Sequence, residues 1–155
     1  MFLSKQKLKK IIDQEKLKVN PFSKEDLRMC SIKLHLGEQG YNHNPNEILD
    51  VTLNEESNKN SFKLDEDGYI MNPGNFFLIK TKERIAMPEG HLGWMETRGS
   101  LAKLGIQTHL CGGHIDPGSD LKITLQLKNV GNNQVRIHPG MYAVKLYISK
   151  LSVKL

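Results

Sequence analysis

Apolar and polar residues alternate over many short stretches of the chain, and this pattern predicts an all-β fold. Ile32, Leu34 and Leu36 are separated by single polar residues, and a similar alternation runs from Leu121 to Leu127. A period of two is that of a strand with one buried face. Further strands are predicted at residues 76–79, 85–88, 92–95, 135–137 and 141–151.

One amphipathic helix and several polar turns complete the predicted elements. The helix is expected to begin after Ser4 as its N-cap and to reach about Glu15. Gly37 is predicted to end the strand that begins at Ile32, with a loop at residues 38–46 and a short strand built on Ile48, Val51 and Leu53. Residues 54–60 are expected to form a mobile tip, and residues 65–68 a tight turn.

Composition is that of an ordinary soluble globular protein. The chain has 155 residues, of which 25% are charged and 38% hydrophobic, enough for one domain with its own core. No stretch is long and apolar enough to cross a membrane or to serve as a secretory signal. The two cysteines, Cys30 and Cys111, lie far apart, which does not indicate a disulfide scaffold. A cytoplasmic location is therefore expected.

The net charge of +5 favours an anionic partner without choosing between a nucleotide and a nucleic acid. A nucleic-acid surface would call for interleaved aromatic residues or a reading helix. Only 6% of the residues are aromatic, so nucleic acid is not expected as a partner.

The candidate chemistry is concentrated in residues 96–129. A basic turn from Arg98 to Lys103 is followed by a glycine-bearing hairpin at residues 111–118, in which Asp116 precedes Pro117 and Gly118. Arginine, lysine, a serine hydroxyl and clustered backbone N–H groups all suit an anion with several oxygens. The sequence therefore indicates a phosphate-bearing ligand beside a carboxylate, although an aspartate at this position could also merely close the turn.

These residues resemble motifs of the dCTP deaminase and dUTPase superfamily. The matching segments are the Arg98 turn through Gly105, Ile115-Asp116-Pro117-Gly118, and residues 138–141, His-Pro-Gly-Met. Upstream segments at residues 20–23 and 34–37 extend the resemblance over nearly the whole chain in the same order. It implies a single domain over residues 1–155, with a distorted, dUTPase-like β-barrel or jelly roll and one N-terminal helix. It also implies a homotrimer with sites between subunits.

The resemblance implies a role for each matching residue. Asp116 would contact the sugar and orient the water that attacks the α-phosphate, while Mg²⁺ would be bound through the triphosphate and not by the protein. The catalytic candidates are Asp116 and Gln126. The implied substrate contacts are Arg98, Gly99, Ser100, Leu101, Ala102, Lys103, Gly113, His114, Ile115, Thr124, Leu125, Gln126 and Lys145.

Gln126 is the most informative departure from the family pattern. It occupies the position of the glutamate that shuttles protons in dCTP deaminases, and a glutamine amide has no titratable proton near neutral pH. The absence of that glutamate argues against deamination, and in this respect the chain resembles the dUTPase branch. Gln126 could still bond a pyrimidine edge, or it could be a solvated strand residue.

Further departures raise the question of whether catalysis survives. Lys33 replaces an aspartate, His35 an arginine, Gly99 a serine and Lys145 a glutamine. The two lysines could bind phosphate as point charges, or they could mark a site no longer tuned for Mg²⁺-assisted hydrolysis. The C-terminal segment that covers the triphosphate in family members is expected to be absent from this chain, which would slow or abolish turnover.

Three residues of the hairpin region invite a metal interpretation that the spacing does not support. His109, Cys111 and His114 lie close in sequence, but they do not match a zinc-site pattern. Cys111 is instead predicted to be a small buried strand residue. Trp94 is predicted to pack in the core or between subunits.

The expected function is that of a dUTP diphosphatase, which converts dUTP to dUMP and pyrophosphate. One alternative is dCTP deamination by an atypical site. Another is a catalytically silent nucleotide-binding or interaction protein, which Lys33, Gly99, Lys145 and the expected lack of a lid favour.

Overall fold

Most strands of the protein join one curled nine-stranded sheet. The computed structural model describes residues 1–46, 48–50 and 59–152. Its helices are α1 (Lys5–Asp13) and α2 (Gly99–Ala102), with a 3₁₀ turn at Lys24–Asp26. Its strands are β1 (Lys18–Asn20), β2 (Ile32–His43), β3 (Lys59–Lys63), β4 (Tyr69–Met71), β5 (Phe76–Ala86), β6 (His91–Thr97), β7 (Ile106–Gln107), β8 (His114–Ile115), β9 (Asp120–Asn129), β10 (Val135–Ile137) and β11 (Tyr142–Lys150).

The strand order brings distant parts of the chain together. The main path of the sheet runs β7-β9-β5-β2-β11-β6-β8, with β1 added to β5 and β3 added to β2, while β4 and β10 form a separate pair. All these pairings are antiparallel. Strand β11 therefore lies between β2 and β6, and β9 lies beside β5.

Alternation along the strands builds one apolar core. The inward residues of β2 and β9, such as Leu34, Leu36, Leu125 and Leu127, are almost completely buried, and the outward residues between them are polar. Helix α1 packs on this core through the fully buried Leu8. Ser4 is the N-cap, as predicted, but its side chain makes no capping hydrogen bond and the helix ends at Asp13.

Strand β2 continues beyond Gly37, so the predicted strand end and the predicted loop over residues 38–43 are wrong. The pairing of β2 with β5 shifts register between Leu36 and Gly40. A Cβ atom on Gly37 would lie 2.6 Å from the backbone oxygen of Lys80. The glycine is therefore needed for close approach of two strands at an irregularity, and not for a turn.

Strand β5 is one element, where the sequence predicts two. Its pairing with β9 is irregular between Lys80 and Arg84. The buried Thr81 hydroxyl fills this irregularity: it donates to the backbone oxygen of Glu83 at 2.7 Å and accepts from the N–H of Ile123 at 3.0 Å. A side chain thus replaces missing ladder hydrogen bonds and keeps the strand continuous.

The predictions for residues 48–60 have a mixed outcome. Ile48 is described, fully exposed and outside any strand, whereas Val51, Leu53 and residues 54–58 lie outside the described residues. Lys59 and Asn60 belong to β3. The predicted turn at residues 65–68 is confirmed, since the N–H of Gly68 donates to the oxygen of Asp65 at 3.1 Å. No helix in the described ranges is long and apolar enough to cross a membrane.

Candidate functional site

Arg98 is fixed at the junction of β6 and α2 by contacts with β11. Its backbone N–H donates to the oxygen of Ala143 at 2.8 Å. Its guanidinium carbon lies 4.8 Å from the ring centroid of Tyr142, and Nη1 donates to the backbone oxygen of Tyr142 at 3.4 Å. A guanidinium over an aromatic face is held in place while some of its donors stay available.

The rest of the basic turn forms the four-residue helix α2. Leu101 is buried and anchors this helix to the core, whereas Ser100, Ala102 and Lys103 are exposed. A Cβ atom on Gly99 would meet no atom within 4 Å. The polar side chains of the predicted phosphate turn are thus accessible, while Leu101 serves packing.

Tyr142 lies at the centre of a group of cations. Burial raises the pKa of its hydroxyl above the ordinary 10.0, and the positive charges of Arg98 and Arg28 partly oppose that rise. The Lys33 Nζ atom is 5.7 Å from the centroid of the same ring. Lys145 is the cross-strand neighbour of Lys33. We call Arg98, Lys33, Lys145 and Tyr142 the Tyr142 cluster.

The hairpin predicted at residues 111–118 is wrong, because β8 pairs with β6 whereas β9 pairs with β5 and β7. Gln126 instead organises the loop between β7 and β8, residues 108–113. Its Oε1 atom accepts hydrogen bonds from the backbone N–H groups of Leu110 at 2.9 Å and Cys111 at 3.3 Å. The backbone N–H of Gln126 donates to the backbone oxygen of Thr108 at 3.0 Å. The side-chain amide of Gln126 therefore has its oxygen engaged in shaping the backbone, and its NH₂ group is the part left to meet a ligand.

Glycines shape the backbone at the end of this loop. Gly112 has a φ of 66°, a conformation that other residues rarely adopt. A Cβ atom on Gly113 would lie 3.0 Å from the His109 ring, and the Gly113 oxygen accepts from the N–H of Met95 at 2.6 Å. The backbone of residues 112–115 is thereby held against β6, with Ile115 buried and His114 exposed.

Asp116 both closes a turn and presents a free carboxylate. Its backbone oxygen accepts from the N–H of Ser119 at 3.2 Å, which is the turn role considered from the sequence. Its side chain is 73% exposed, and Oδ1 lies 3.7 Å from Nε2 of His114. The carboxylate can therefore reach a water molecule or a ligand beside the imidazole.

The predicted site residues form two groups in this chain. The first group is the Tyr142 cluster with the exposed residues of α2. The second is Gln126, His114 and Asp116, near β8 and the loop that precedes it. No hydrogen bond or ion pair joins the two groups within the described ranges. Leu125 is 1% exposed, so only its backbone could contact a ligand.

Thr124 lines a cleft in the described part of the chain. The cleft has a volume of about 660 Å³, which is within the range of small-molecule sites. Its lining residues are Gln39, Gly40, Tyr41, Lys59, Ser61, Phe62, Lys63, Lys80 and Thr124. Thr124 lies opposite Lys80 in the pairing of β9 with β5, so this cleft adjoins the strand that carries Gln126.

One prediction about a single residue is wrong, and one half of another is excluded. Cys111 is exposed, not buried, because it lies in the loop between β7 and β8 and not in a strand. Trp94 is 43% exposed and donates from Nε1 to Oε1 of Glu96 at 2.9 Å, so it is not a core residue. Packing of Trp94 against another subunit stays a prediction. His109, Cys111 and His114 do not belong to any metal-binding group of three or more such residues in the described part of the chain.

Sequence reasoning missed a buried carboxylate, Glu83, that contacts His35 beside the Tyr142 cluster. Glu83 is 3% exposed, and its carboxylate accepts from the backbone N–H of His35 at 2.9 Å and contacts Nδ1 of His35 at 2.6 Å. The His35 Nε2 atom lies 3.7 Å from Asp26, and the His35 and Tyr142 ring centroids are 6.1 Å apart. The available signal was a charged residue in the inward phase of the apolar strand β5.

Comparison with known proteins supplies the family context for this geometry. A family model described as dCTP deaminase-like matches residues 2–151. A dUMP-forming dCTP deaminase of Corynebacterium glutamicum is 31% identical over 155 residues, which covers 98% of this chain and 82% of that relative.

Solved structures show the same fold. The 2'-deoxycytidine 5'-triphosphate deaminase from Agrobacterium tumefaciens superposes with a TM-score of 0.73 at 16% identity, covering 95% of this chain but 47% of that one, so this chain spans about half its length. A mutant dUTPase from phage phi11 of S. aureus, described with a structural Mg(II) ion, gives a TM-score of 0.55 at 15% identity, covering 90% and 93% of the two chains. The predicted all-β, dUTPase-like fold is confirmed.

Proposed function

Because the chain belongs to the dCTP deaminase-like family, we propose that it acts on a deoxypyrimidine triphosphate and hydrolyses dUTP to dUMP and pyrophosphate. The observation that carries the choice of hydrolysis is Gln126. Its oxygen is engaged with two backbone N–H groups, and an amide cannot carry the proton that replacement of an amino group requires.

In the proposed reaction the Asp116 carboxylate accepts a hydrogen bond from the attacking water and takes up its proton. The water oxygen forms a bond to the α-phosphorus, the bond between that phosphorus and the bridging oxygen breaks, and pyrophosphate leaves. The exposure of Asp116 supports this role, since the carboxylate has no strong partner to give up. Arg98, Ser100 and Lys103 would hold the phosphates, and the backbone of residues 112–115 would read the base.

A homotrimer with sites between subunits would bring the two groups of residues together. Within one chain the Tyr142 cluster has no direct bond to the Asp116 and Gln126 group in the described ranges. In our proposal the phosphate-holding residues of one subunit lie beside the Asp116 and Gln126 group of the next. The exposed Trp94 supports the same assembly, because exposed tryptophan is enriched at interfaces.

The residues of this chain do not fit a protein-bound Mg²⁺. A magnesium site uses carboxylate and other oxygen ligands, and no group of three or more potential metal-binding side chains occurs in the described segments. Lys33 and Arg98 lie against the Tyr142 ring instead, and the nearby carboxylates of Glu83 and Asp26 contact His35. Mg²⁺ therefore enters this proposal only as a counter-ion that dUTP carries in solution, and no step depends on it.

Product analysis tests the proposed function. The purified protein is incubated with each deoxynucleoside triphosphate in turn, and the products are separated by chromatography. Pyrophosphate and dUMP from dUTP support the proposal. Binding of dUTP without any product would favour a silent nucleotide-binding protein and overturn the hydrolase assignment.

The second candidate is dCTP deamination, which the names of the relatives favour, since the Corynebacterium glutamicum protein is a dUMP-forming dCTP deaminase. The same assay distinguishes it. Deamination would be established if dUTP or dUMP forms from dCTP at least as fast as dUMP forms from dUTP.

A further inference from the structure

Lys33 and Lys145 lie directly opposite each other on the antiparallel strands β2 and β11. Cross-strand neighbours share a face of the sheet, and two like charges at such positions destabilise the pair. Both side chains are only half-exposed, so water does not fully screen them. Within the described ranges neither lysine makes an ion pair.

The surroundings add positive charge to the lysine pair. The register of β11 against β2 shifts between Tyr142 and Val144, which puts Tyr142 beside the lysines. Lys33 and Arg98 both lie close to the Tyr142 ring, and the positive charge of Arg28 also acts on Tyr142. Several cations therefore converge on one aromatic ring.

The acidic neighbours of this region are engaged elsewhere. Glu83 and Asp26 both face His35. Glu96 is the other cross-strand neighbour of Lys145, but it accepts the hydrogen bond of the Trp94 indole and does not lie within ion-pair distance of the lysine. A convergent group of cations without a matching carboxylate is an anion site.

We propose that the Tyr142 cluster binds the triphosphate chain of a nucleotide without a divalent metal, with the ammonium groups of Lys33 and Lys145 supplying the counter-charge. The two lysines together carry a charge of about +2, which is the charge of Mg²⁺. Each ammonium has three donors for phosphate oxygens, whereas a metal ion placed between them would be repelled. The inference deepens the proposed function, because it specifies how the phosphates of the same substrate are held.

Calorimetric titration with inorganic triphosphate tests the inference without a base or a hydrolysis step. The full-length protein is titrated once in EDTA and once in millimolar Mg²⁺. We expect binding in EDTA, and equal or weaker binding with Mg²⁺, because the metal competes with the lysines for the same oxygens. Binding that requires Mg²⁺, or no binding in either buffer, overturns the inference.

Variants assign the binding to the lysine pair. The double variant Lys33→Gln with Lys145→Gln should weaken triphosphate binding in EDTA by about 10- to 100-fold, as expected for loss of charge-assisted contacts. Lys150→Ala is the matched control on the same strand, and it should bind as the unmodified protein does. An unchanged affinity in the double variant overturns the inference.

A charge reversal gives a second readout, which is the dependence of triphosphate binding on Mg²⁺. Lys33→Asp should bind triphosphate poorly in EDTA and should recover affinity with Mg²⁺, because a carboxylate can join a metal to the phosphates. Failure of Mg²⁺ to restore binding in a folded Lys33→Asp protein contradicts the assigned counter-charge role. Triphosphate binding without dUTP hydrolysis would support this inference and overturn the proposed function. Hydrolysis of dUTP without metal-free triphosphate binding would support the proposed function and overturn this inference.

Discussion

Replacement of Gln126 by glutamate should change the chemistry of the site without changing the loop between β7 and β8. The Gln126 oxygen accepts two backbone N–H groups, at 2.9 Å from Leu110 and 3.3 Å from Cys111. A glutamate can keep both bonds through one carboxylate oxygen, and its second oxygen can exchange a proton with a bound base. We expect Gln126→Glu to raise the rate of dCTP deamination by about 10²- to 10⁴-fold, the usual contribution of a general acid-base group.

The control for this prediction is Gln126→Leu, which removes the acceptor. Two net hydrogen bonds of about 0.5–1.5 kcal/mol each are lost. Because Leu110 and Cys111 are exposed and their amides can turn to water, the expected loss in unfolding free energy is at the lower end, about 1–2 kcal/mol. Urea denaturation measures stability, and chromatography of dCTP reactions measures deamination. An unmodified protein that deaminates dCTP as fast as Gln126→Glu would refute the reasoning, as would a folded Gln126→Glu protein with no gain.

Three further predictions concern the Asp116 carboxylate, the contact between Glu83 and His35, and Tyr142. Asp116→Asn should lower the dUTP hydrolysis rate by at least about 100-fold with little change in KM. The control Asp13→Asn, at an exposed position at the end of α1, should hydrolyse dUTP at the unmodified rate. A retained rate in Asp116→Asn would show that Asp116 is not catalytic. Glu83→Ala should cost about 3 kcal/mol of unfolding free energy in urea, because the partly buried backbone N–H and imidazole of His35 lose their carboxylate partner. A loss under about 1 kcal/mol would contradict that account. Burial raises the pKa of Tyr142, so the folded state holds this proton more tightly than the unfolded state. The free energy of unfolding should therefore fall as pH rises above 10.0 and through the pKa of Tyr142 in the folded state. In Tyr142→Phe the urea midpoint should depend less on pH in this range. An unchanged pH dependence of the midpoint would contradict the assignment.

The alternation of apolar and polar residues was sufficient to predict the strands that bury one face. The alternation in β2 and β9 predicted their inward residues, and Leu34, Leu36, Leu125 and Leu127 are all buried. Leu121 shows the limit of that rule, since it follows the same phase and is 42% exposed near the start of its strand. Periodicity gives the phase of a strand but not the depth of each position in the core.

The failures come from contacts between distant segments. Gly37 has the signal of a strand end, but the backbone of Lys80 approaches it across the sheet, and only the tertiary structure reveals that approach. Thr81 keeps β5 continuous by a bond to Ile123, which no local rule predicts. The hairpin predicted at residues 111–118 fails in the same way, because β8 pairs with β6 and β9 with β5. Cys111 therefore lies in an exposed loop between β7 and β8.

The site was predictable as a set of segments but not as an arrangement. The motifs around Arg98 and Asp116 were identified in the sequence, yet the pairing of Lys33 with Lys145 depends on the order β2-β11-β6. Tyr142 carried no sequence signal for its position beneath two cations. Composition and spacing therefore identify candidate residues, while sheet topology decides which of them act together.

Hydrolysis of dUTP in heavy-oxygen water tests the central claim most directly, since it follows the oxygen atom that Asp116 is proposed to direct. Mass spectrometry of the separated products locates the label. We predict that dUMP carries the heavy oxygen and pyrophosphate does not, because the water attacks the α-phosphorus. Label in pyrophosphate, or turnover of dCTP with no turnover of dUTP, would contradict the account.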